Sequence, residues 1–368
     1  YRQNFYNIYH TNIVPIFNEF EGKRKKEFIK LLLIELLICG FAFWLCYSFF
    51  SSIIAGDAYK SILNPFIPII LIITMTVAIW LPFHFNNKFI QTLKLQCMDK
   101  VIKAFGNLKW YDCCDLITNN ELTKSQLFAF YNRRTALDAF KGKYKDVTFQ
   151  ISETQMYHES GSGKNRTVVT IFRGVIIKFK ANKDIKATTI IATKGDHNIK
   201  NRCSLPILCI VSGWATCFFA DNDMQFTSGT IFWFLVLAIA LFAVLALIDR
   251  FNKNTNEMDF EEIKLEDPEF TKKYKAYSTD QIEGRYLITP AFMQRFKNIQ
   301  TAFGTNKVKC SFYGDDLMFA ISTRKNLFEI GNLFCSLHNP KQMTKFFDEL
   351  SSIIALIDYF KLDETTKL

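Results

Sequence analysis

LLLIELLICGFAFWLCYSFFSSII, Leu31–Ile54, is 24 residues long and carries one charge, Glu35. About 20 apolar residues, each rising about 1.5 Å, cross a hydrocarbon core of roughly 30 Å. This run therefore predicts a membrane-spanning helix. ILNPFIPIILIITMTVAIWLPFHF, Ile62–Phe85, is a second run of 24 residues, with His84 its only titratable group. Cys203–Ala220 (18 residues) and Gly229–Ile248 (20 residues) have no charge at all. The 18-residue run is marginal, and Pro206 and Gly213 weaken it further. The expectation is two transmembrane helical hairpins, four spans with the third marginal. For Ser204–Ala220 the alternative is a buried core helix or half of a re-entrant hairpin. Asp221–Asn222–Asp223 suits a tight turn between the last two runs.

Lysine and arginine set the expected orientation. Lys23, Arg24, Lys25, Lys26 and Lys30 precede the first run, and Lys60 is the one basic residue in either short connection. Lys88 and Lys94 follow the second run, Lys200 and Arg202 precede the third, and Arg250 and Lys253 follow the fourth. Two hairpins return the chain to the same side each time. The expectation is a multi-pass membrane protein with both termini and the soluble domain in the cytoplasm. The first run is too long and too late for a cleaved signal peptide.

The 368 residues are 49% hydrophobic and 22% charged, with 38 Phe, which excludes a disordered chain. The net charge of +10 fits a domain lying against anionic lipid. No helix-turn-helix, zinc-finger or ribonucleoprotein motif supports nucleic-acid binding. The ten cysteines include no C-x-x-C pair, and the five histidines are isolated, so neither a metal site nor any cofactor is expected.

Outside the apolar runs, hydrophobic spacing divides the chain. An N-terminal juxtamembrane helix is expected in 1–30, with Ile13, Val14, Ile16, Phe17 and Phe20 on its face, unless the segment simply extends the first span. The first hairpin occupies 31–85. Residues 86–202 hold a stalk helix, Phe89–Phe105 ended by Gly106, and the first part of an α+β domain. Within it, Ser125–Phe140 reads as a helical patch. Val147–Ser152, Thr154–His158, Thr167–Lys180 and Ala187–Thr193 read as antiparallel strands, with a turn at Ser160–Gly163 and a bulge near Gly174. The second hairpin is 203–248. Residues 249–368 complete the domain. Strands are expected at Met258–Leu265, Lys273–Tyr277 and Gly284–Thr289, a helix from Pro290, and a β-hairpin turning at Tyr313–Gly314–Asp315–Asp316. An amphipathic helix, Lys341–Lys361, closes the chain. The two strand regions are expected to form one antiparallel sheet domain with packing helices.

No catalytic motif survives inspection. Gly161–Asn165 has Lys164 but lacks the first Gly and the final Ser or Thr of a phosphate loop, and it joins strands. Gly314–Asp315–Asp316 reads as a solvated turn. Glu266, Asp267, Pro268, Glu269 and Phe270 form the densest acidic cluster, a candidate partner-contact loop with Phe270 as its anchor. Glu35 is the one carboxylate inside a span, where an ionisable group is a functional candidate.

Several short motifs stand in order along the chain: Ile13–Glu21, Ser125–Phe128, Asp138–Gly142, Phe172–Val175 with Phe179, Asn182 and Lys183, Leu265–Phe270, Tyr277–Asp280 and Arg285–Pro290. Together they resemble the bacterial domain-of-unknown-function family 3137, whose members are inner-membrane proteins often encoded beside LemA-type proteins. The second hydrophobic hairpin departs from the family's simplest two-span pattern. The resemblance implies an inner-membrane protein with a cytoplasmic α+β domain and a LemA-like partner, and it assigns no catalytic residue. The functional expectation is a non-enzymatic scaffold or adaptor for a membrane-protein partner, within an oligomer or hetero-complex, with membrane lipids as a second partner. The alternatives are a membrane-bound enzyme acting on lipid or envelope precursors, with Asp280, Glu283 and Arg285 its nearest polar cluster, and a channel or transporter component lined by Glu35.

Overall fold

Two long helices, α1 (Val14–Ile54, 41 residues) and α2 (Ile67–Ile102, 36 residues), open the computed structural model. The structure describes residues 9–54, 66–161, 163–194, 260–303, 305, 307–323 and 325–360. The third and fourth apolar runs, the turn between them and the segment from Met258 to Asp259 lie outside those residues. At about 1.5 Å per residue, α1 is about 62 Å long and α2 about 54 Å. Both are long and apolar enough to cross a membrane. Their apolar stretches are not consumed by the fold, since Leu37 is 70%, Phe43 75% and Ile79 66% exposed. A core helix of a soluble domain buries such residues.

The other part of each helix packs inward. Ile13, Phe17 and Phe20 at the start of α1, and Phe89, Leu93, Cys97 and Val101 at the end of α2, are buried at helical spacing. Residues 14–30 are thus an extension of the first apolar run. The expected stalk is the last part of α2, closed by the turn Lys103–Phe105 and Gly106. Lys30 lies 5.9 Å from the Phe85 ring, and the buried start of α1 shares one core with the buried end of α2, so the two helices run antiparallel.

Among the described residues, seven strands form one antiparallel sheet. These are β1 (Leu108–Asp112), β2 (Arg133–Tyr144), β3 (Val147–Ser160), β4 (Thr167–Thr193), β5 (Glu261–Ile263), β6 (Tyr274–Ser278) and β7 (Val308–Ser322). Strand β4 is the spine. Its first half pairs with β3, its second half with β6, and β7 pairs with both halves. Strand β2 lies between β1 and β3, and β5 pairs with β6. The two strand regions flanking the second apolar pair are therefore one sheet. Five helices among the described residues pack around it: α3 (Asn119–Ser125), α4 (Pro268–Lys273), α5 (Gln281–Leu287), α6 (Pro290–Phe303) and α7 (Lys341–Phe360).

Central strands buried on both faces read as unbroken apolar runs. Val175–Ile177, Ile190–Ala192 and Leu317–Ile321 are such runs, and period-2 geometry sends alternate residues to opposite faces. Ile151, Val175, Ile177, Phe179 and Phe319 face the main core, under α2, α6 and α7. Met156, Phe172, Ile176, Ile190 and Met318 face the other way, onto Ile117, Leu122, Leu127 and Phe128. A capping box starts α3 here: the Thr118 hydroxyl accepts from the Glu121 amide, and Glu121 accepts from the Thr118 amide at 2.7 Å. Thr118→Ala is expected to lower stability by about 1 kcal/mol, read as a small drop in thermal midpoint.

Four expectations need correction. Ser125–Phe140 is not a helical patch: α3 stops at Ser125, Leu127 and Phe128 plug the second core, and the chain enters β2 at Arg133. Pairing on both edges of β2, with β1 and β3, outweighs the helical spacing. The runs in 147–160 and in 167–193 are each one continuous strand, joined through Gly161 and Gly163, and the bulge in β4 falls at Ile171. Gly174 itself is required by close approach, because a Cβ there would meet the Ile321 carbonyl oxygen at 2.1 Å. Gly284–Thr289 is not a strand, since Asp280 caps helix α5 across most of it. Tyr313–Asp316 is not a hairpin turn. Gly314, at φ +53°, and Asp316 pair with Ile185 and Lys180 inside the single strand β7. The extra residues fall on the β4 side, as a wide bulge between those two pairs.

Candidate functional site at the junction of helices and sheet

Residues 325–340, between β7 and α7, have no regular structure, yet they are bonded to α1, α2, β3 and α7. Glu21 and Arg24 sit three residues apart on α1 and form a buried, two-pronged pair at 2.7 and 2.8 Å. Arg24 Nη1 donates to the Leu333 carbonyl at 2.8 Å. Glu21 accepts from the Leu337 amide at 3.0 Å and from Ser336 Oγ at 3.3 Å. From α2, Asn86 Oδ1 accepts from the Leu333 amide at 3.0 Å. Both long helices thus grip one short stretch of backbone. The Arg24 guanidinium, followed by these backbone and hydroxyl donors, holds the Glu21 carboxyl down at about 2.

Behind this clamp lies a second group of charges. Glu153 on β3 is buried and accepts from the Leu327 amide at 3.0 Å. Glu349 on α7 accepts from the Phe328 amide at 3.0 Å, and Phe328 adopts φ +57° between the two carboxylates. Asp138 on β2 pairs with Lys94 of α2 and accepts from Trp110 Nε1 at 3.0 Å. Burial, helped by the nearby Asp138 and Glu349 charges, pushes the Glu153 carboxyl up to about 8, and Lys94 opposes the rise. Chemically, this is a network that binds backbone amides and joins elements. A cleft of about 670 Å³ opens beside it, lined by Lys325, Lys341, Lys345, Asp348, Glu349 and Ser352, charges of both signs.

The residues singled out by sequence lie elsewhere. Asp267 caps α4, accepting from the Glu269 and Phe270 amides at 2.9 and 3.1 Å. Lys297 Nζ bridges Asp267 and Glu269 at 3.0 and 3.1 Å. Those amides, Phe270 first, and then Lys297 lower the Asp267 carboxyl. Phe270 is fully buried against Tyr274 and Phe296, so it anchors the loop. Glu266, Pro268 and Glu269 remain exposed. Glu35 is half-buried on α1, and one of its carboxylate oxygens has no hydrogen-bond partner among the described residues. Asp280, Glu283 and Arg285 do not converge. Asp280 caps α5 and Glu283 accepts from the Lys186 and Ala187 amides at 3.0 and 2.7 Å, so both carboxylates hold backbone. Lys164 lies in a short turn between two strands, not at the start of a helix. Among the described residues no group of three or more His, Cys, Asp or Glu is placed to hold a metal ion.

Sequence reasoning missed Glu21, Arg24, Asn86, Glu153 and Glu349. One signal was readable: Glu153 shares the period-2 face of Val147, Phe149 and Ile151, a charge on an apolar face.

The sequence model of a family described as "Protein of unknown function (DUF3137)" matches residues 170–362. No curated protein and no solved structure matches the chain. The matched range begins inside β4 and ends past α7. It contains Leu327–Leu337 and Glu349 but not Glu21, Arg24, Asn86 or Glu153. Because this range is 193 of the 368 residues, more than half, the chain belongs to the DUF3137 family of proteins of unknown function.

Proposed function

We propose that this protein is a non-enzymatic scaffold or adaptor of a bacterial inner membrane, holding an α+β domain on the cytoplasmic side for a membrane-protein partner. The observation that carries this reading is the clamp. Two helices with exposed apolar flanks are tied to the sheet domain, α2 by a neutral hydrogen bond from the Leu333 amide to Asn86 and α1 by buried, charge-assisted hydrogen bonds. Such bonds are stronger than neutral ones and favour a fixed platform over a tethered domain. The cytoplasmic placement and the four crossings rest on the distribution of Lys and Arg and on the apolar runs at 203–220 and 229–248. A LemA-like partner follows from the family resemblance. The exposed acidic edge, Glu266 and Glu269, is the proposed contact loop. In the same reading, a partner span supplies the donor that Glu35 lacks.

The test is native purification of the full chain in mild detergent, with mass spectrometry of what accompanies it. Another membrane protein is expected to co-purify. Reversing the loop's charge with Glu266→Lys is expected to lower its recovery several-fold without changing the thermal midpoint. Purification as a lone monomer across several detergents would overturn the proposal.

A further inference from the structure

The contacts define which end of the sheet faces the long helices' apolar halves. Lys94 of α2 pairs with Asp138 of β2. Following both chains onward, α2 ends near Leu108, which pairs with Gly142. Helix α2 therefore climbs away from its apolar half in the direction of β2. Helix α7 climbs the same way, from Phe346 beside Phe140 to Asp358 bonded to Tyr144. The Arg133 end of β2 thus faces the apolar halves, and the β2–β3 turn at Lys145–Asp146 faces away. Two structures project at the Arg133 end. One is the 325–340 segment. The other is the β3–β4 hairpin, which continues past Arg133, the start of β2, and past Ser322, the end of β7.

Both projections carry bare apolar side chains rimmed by basic ones. Phe334 is 51% exposed and its ring stands 6.4 Å from Phe28 of α1, a helix that exposes Lys25, Lys26 and Lys30 within three residues of Phe28, while α2 exposes Lys88 two residues from Asn86. At the hairpin tip, Val168 and Val169 are about half exposed and Phe130, stacked edge-on to His158, is 75% exposed. Arg133 and Arg166 flank them, both paired with Glu159. The reach is sufficient. From Lys94 back to Phe85, α2 covers about 14 Å. From Ser152, level with Asp138, to Ser160, β3 covers about 26 Å, so the hairpin reaches the level of Phe85 even when inclined to the helix.

We infer that the sheet domain stands on an anionic bilayer surface at two feet, Phe334 with the α1 and α2 lysines, and the Phe130–Val168–Val169 tip with Arg133 and Arg166. Apolar side chains entering the interface and Lys or Arg near anionic headgroups both favour this contact. Two separated feet fix the tilt of the domain as well as its height. The inference rests on the membrane reading of α1 and α2, and the experiment separates the two.

The full chain, carrying p-benzoylphenylalanine in place of Phe334, Phe130, Val168, Leu37 or Asp146, is placed in nanodiscs of mixed phosphatidylethanolamine and phosphatidylglycerol and irradiated. Leu37 reports the span, and Asp146 reports the far end of the domain. Lipid adducts are expected at 334, 130, 168 and 37, and none at 146. In nanodiscs of phosphatidylcholine alone the adducts at 334, 130 and 168 are expected to fall several-fold, while the adduct at 37 is unchanged. Adducts at 37 alone, or at 37 and one foot, overturn the two-footed stance and leave the span intact. Equal adducts at the feet in both lipids overturn the anionic preference. No adduct at 37 overturns the membrane reading and this inference with it.

Discussion

Arg24→Ala is expected to destabilise the protein by about 3 to 5 kcal/mol, the largest loss from any single polar substitution considered. The magnitude comes from what is left behind. Glu21 is only 4% exposed, and without its guanidinium partner it is a buried carboxylate facing two remaining donors, the Leu337 amide and Ser336 Oγ. The Leu333 carbonyl loses its donor at the same time. Hydrogen exchange should rise first in residues 331–340, before any change in the sheet, and the thermal midpoint in detergent should drop. Because both residues belong to one network, the double variant Glu21→Gln/Arg24→Ala is expected to cost less than the sum of the single changes. Additive losses, or unaltered exchange in 331–340, would show that the clamp does not hold the domain. Glu21 also predicts an acid limb. Its folded carboxyl titrates near 2 against an ordinary 4.5, so its stabilisation is present above pH 4.5 and is lost as pH falls toward 2.

Glu153→Gln is expected to remove a second, opposite pH dependence. Burial raises the Glu153 carboxyl to about 8 from 4.5, so the folded chain holds this proton more tightly than the unfolded chain. The contribution is fully present below pH 4.5 and declines as pH rises to 8, by on the order of 5 kcal/mol in total. Asp138 and Glu349 add to the decline because a Glu153 carboxylate would face both, with the Leu327 amide and then Lys94 in partial compensation. Glutamine keeps an acceptor oxygen for the Leu327 amide and carries no charge at any pH. The variant should therefore match the parent near pH 5 and exceed it near pH 9 in thermal midpoint. The windows of Glu21 and Glu153 do not overlap, so one titration of stability resolves both. Equal slopes for parent and variant between pH 5 and 8 would mean that Glu153 is not the group responsible.

Much of the fold was legible along the chain. Period-2 alternation in 147–193 marked the long strands, and the phase shift near Gly174 marked a bulge that falls three residues earlier, at Ile171. Met343, Phe346, Phe347, Leu350, Ile353, Ile354 and Ile357 lie on the buried face of α7, as their spacing indicates. The misreadings share a cause. Leu127, Phe128 and Tyr131 have helical spacing, but their side chains close a core formed by strands distant in sequence. Tyr313–Gly314–Asp315–Asp316 has turn chemistry, but β4 pairs with it on both sides and keeps the chain extended. Local preference amounts to at most about 1 kcal/mol per residue, and a paired, buried strand outweighs it. The candidate site was less legible, because its bonds join residues far apart: Arg24 to Leu333 spans 309 positions, and Glu153 to Leu327 spans 174.

By itself the sequence determined which stretches repel water, how long they are, and with what period apolar residues recur, because these are properties of neighbouring residues. It thereby specified two helices suited to a bilayer and an alternating, two-faced sheet. Only the tertiary structure decided which charges are shut away from water, that Glu21 meets Arg24 and the 333–337 backbone while Glu266 and Glu269 stay outside, and which end of the sheet points along the apolar halves of α1 and α2. The reason is physical. Hydrophobic pattern is additive along a chain, whereas burial of a charge depends on which distant donors arrive to satisfy it.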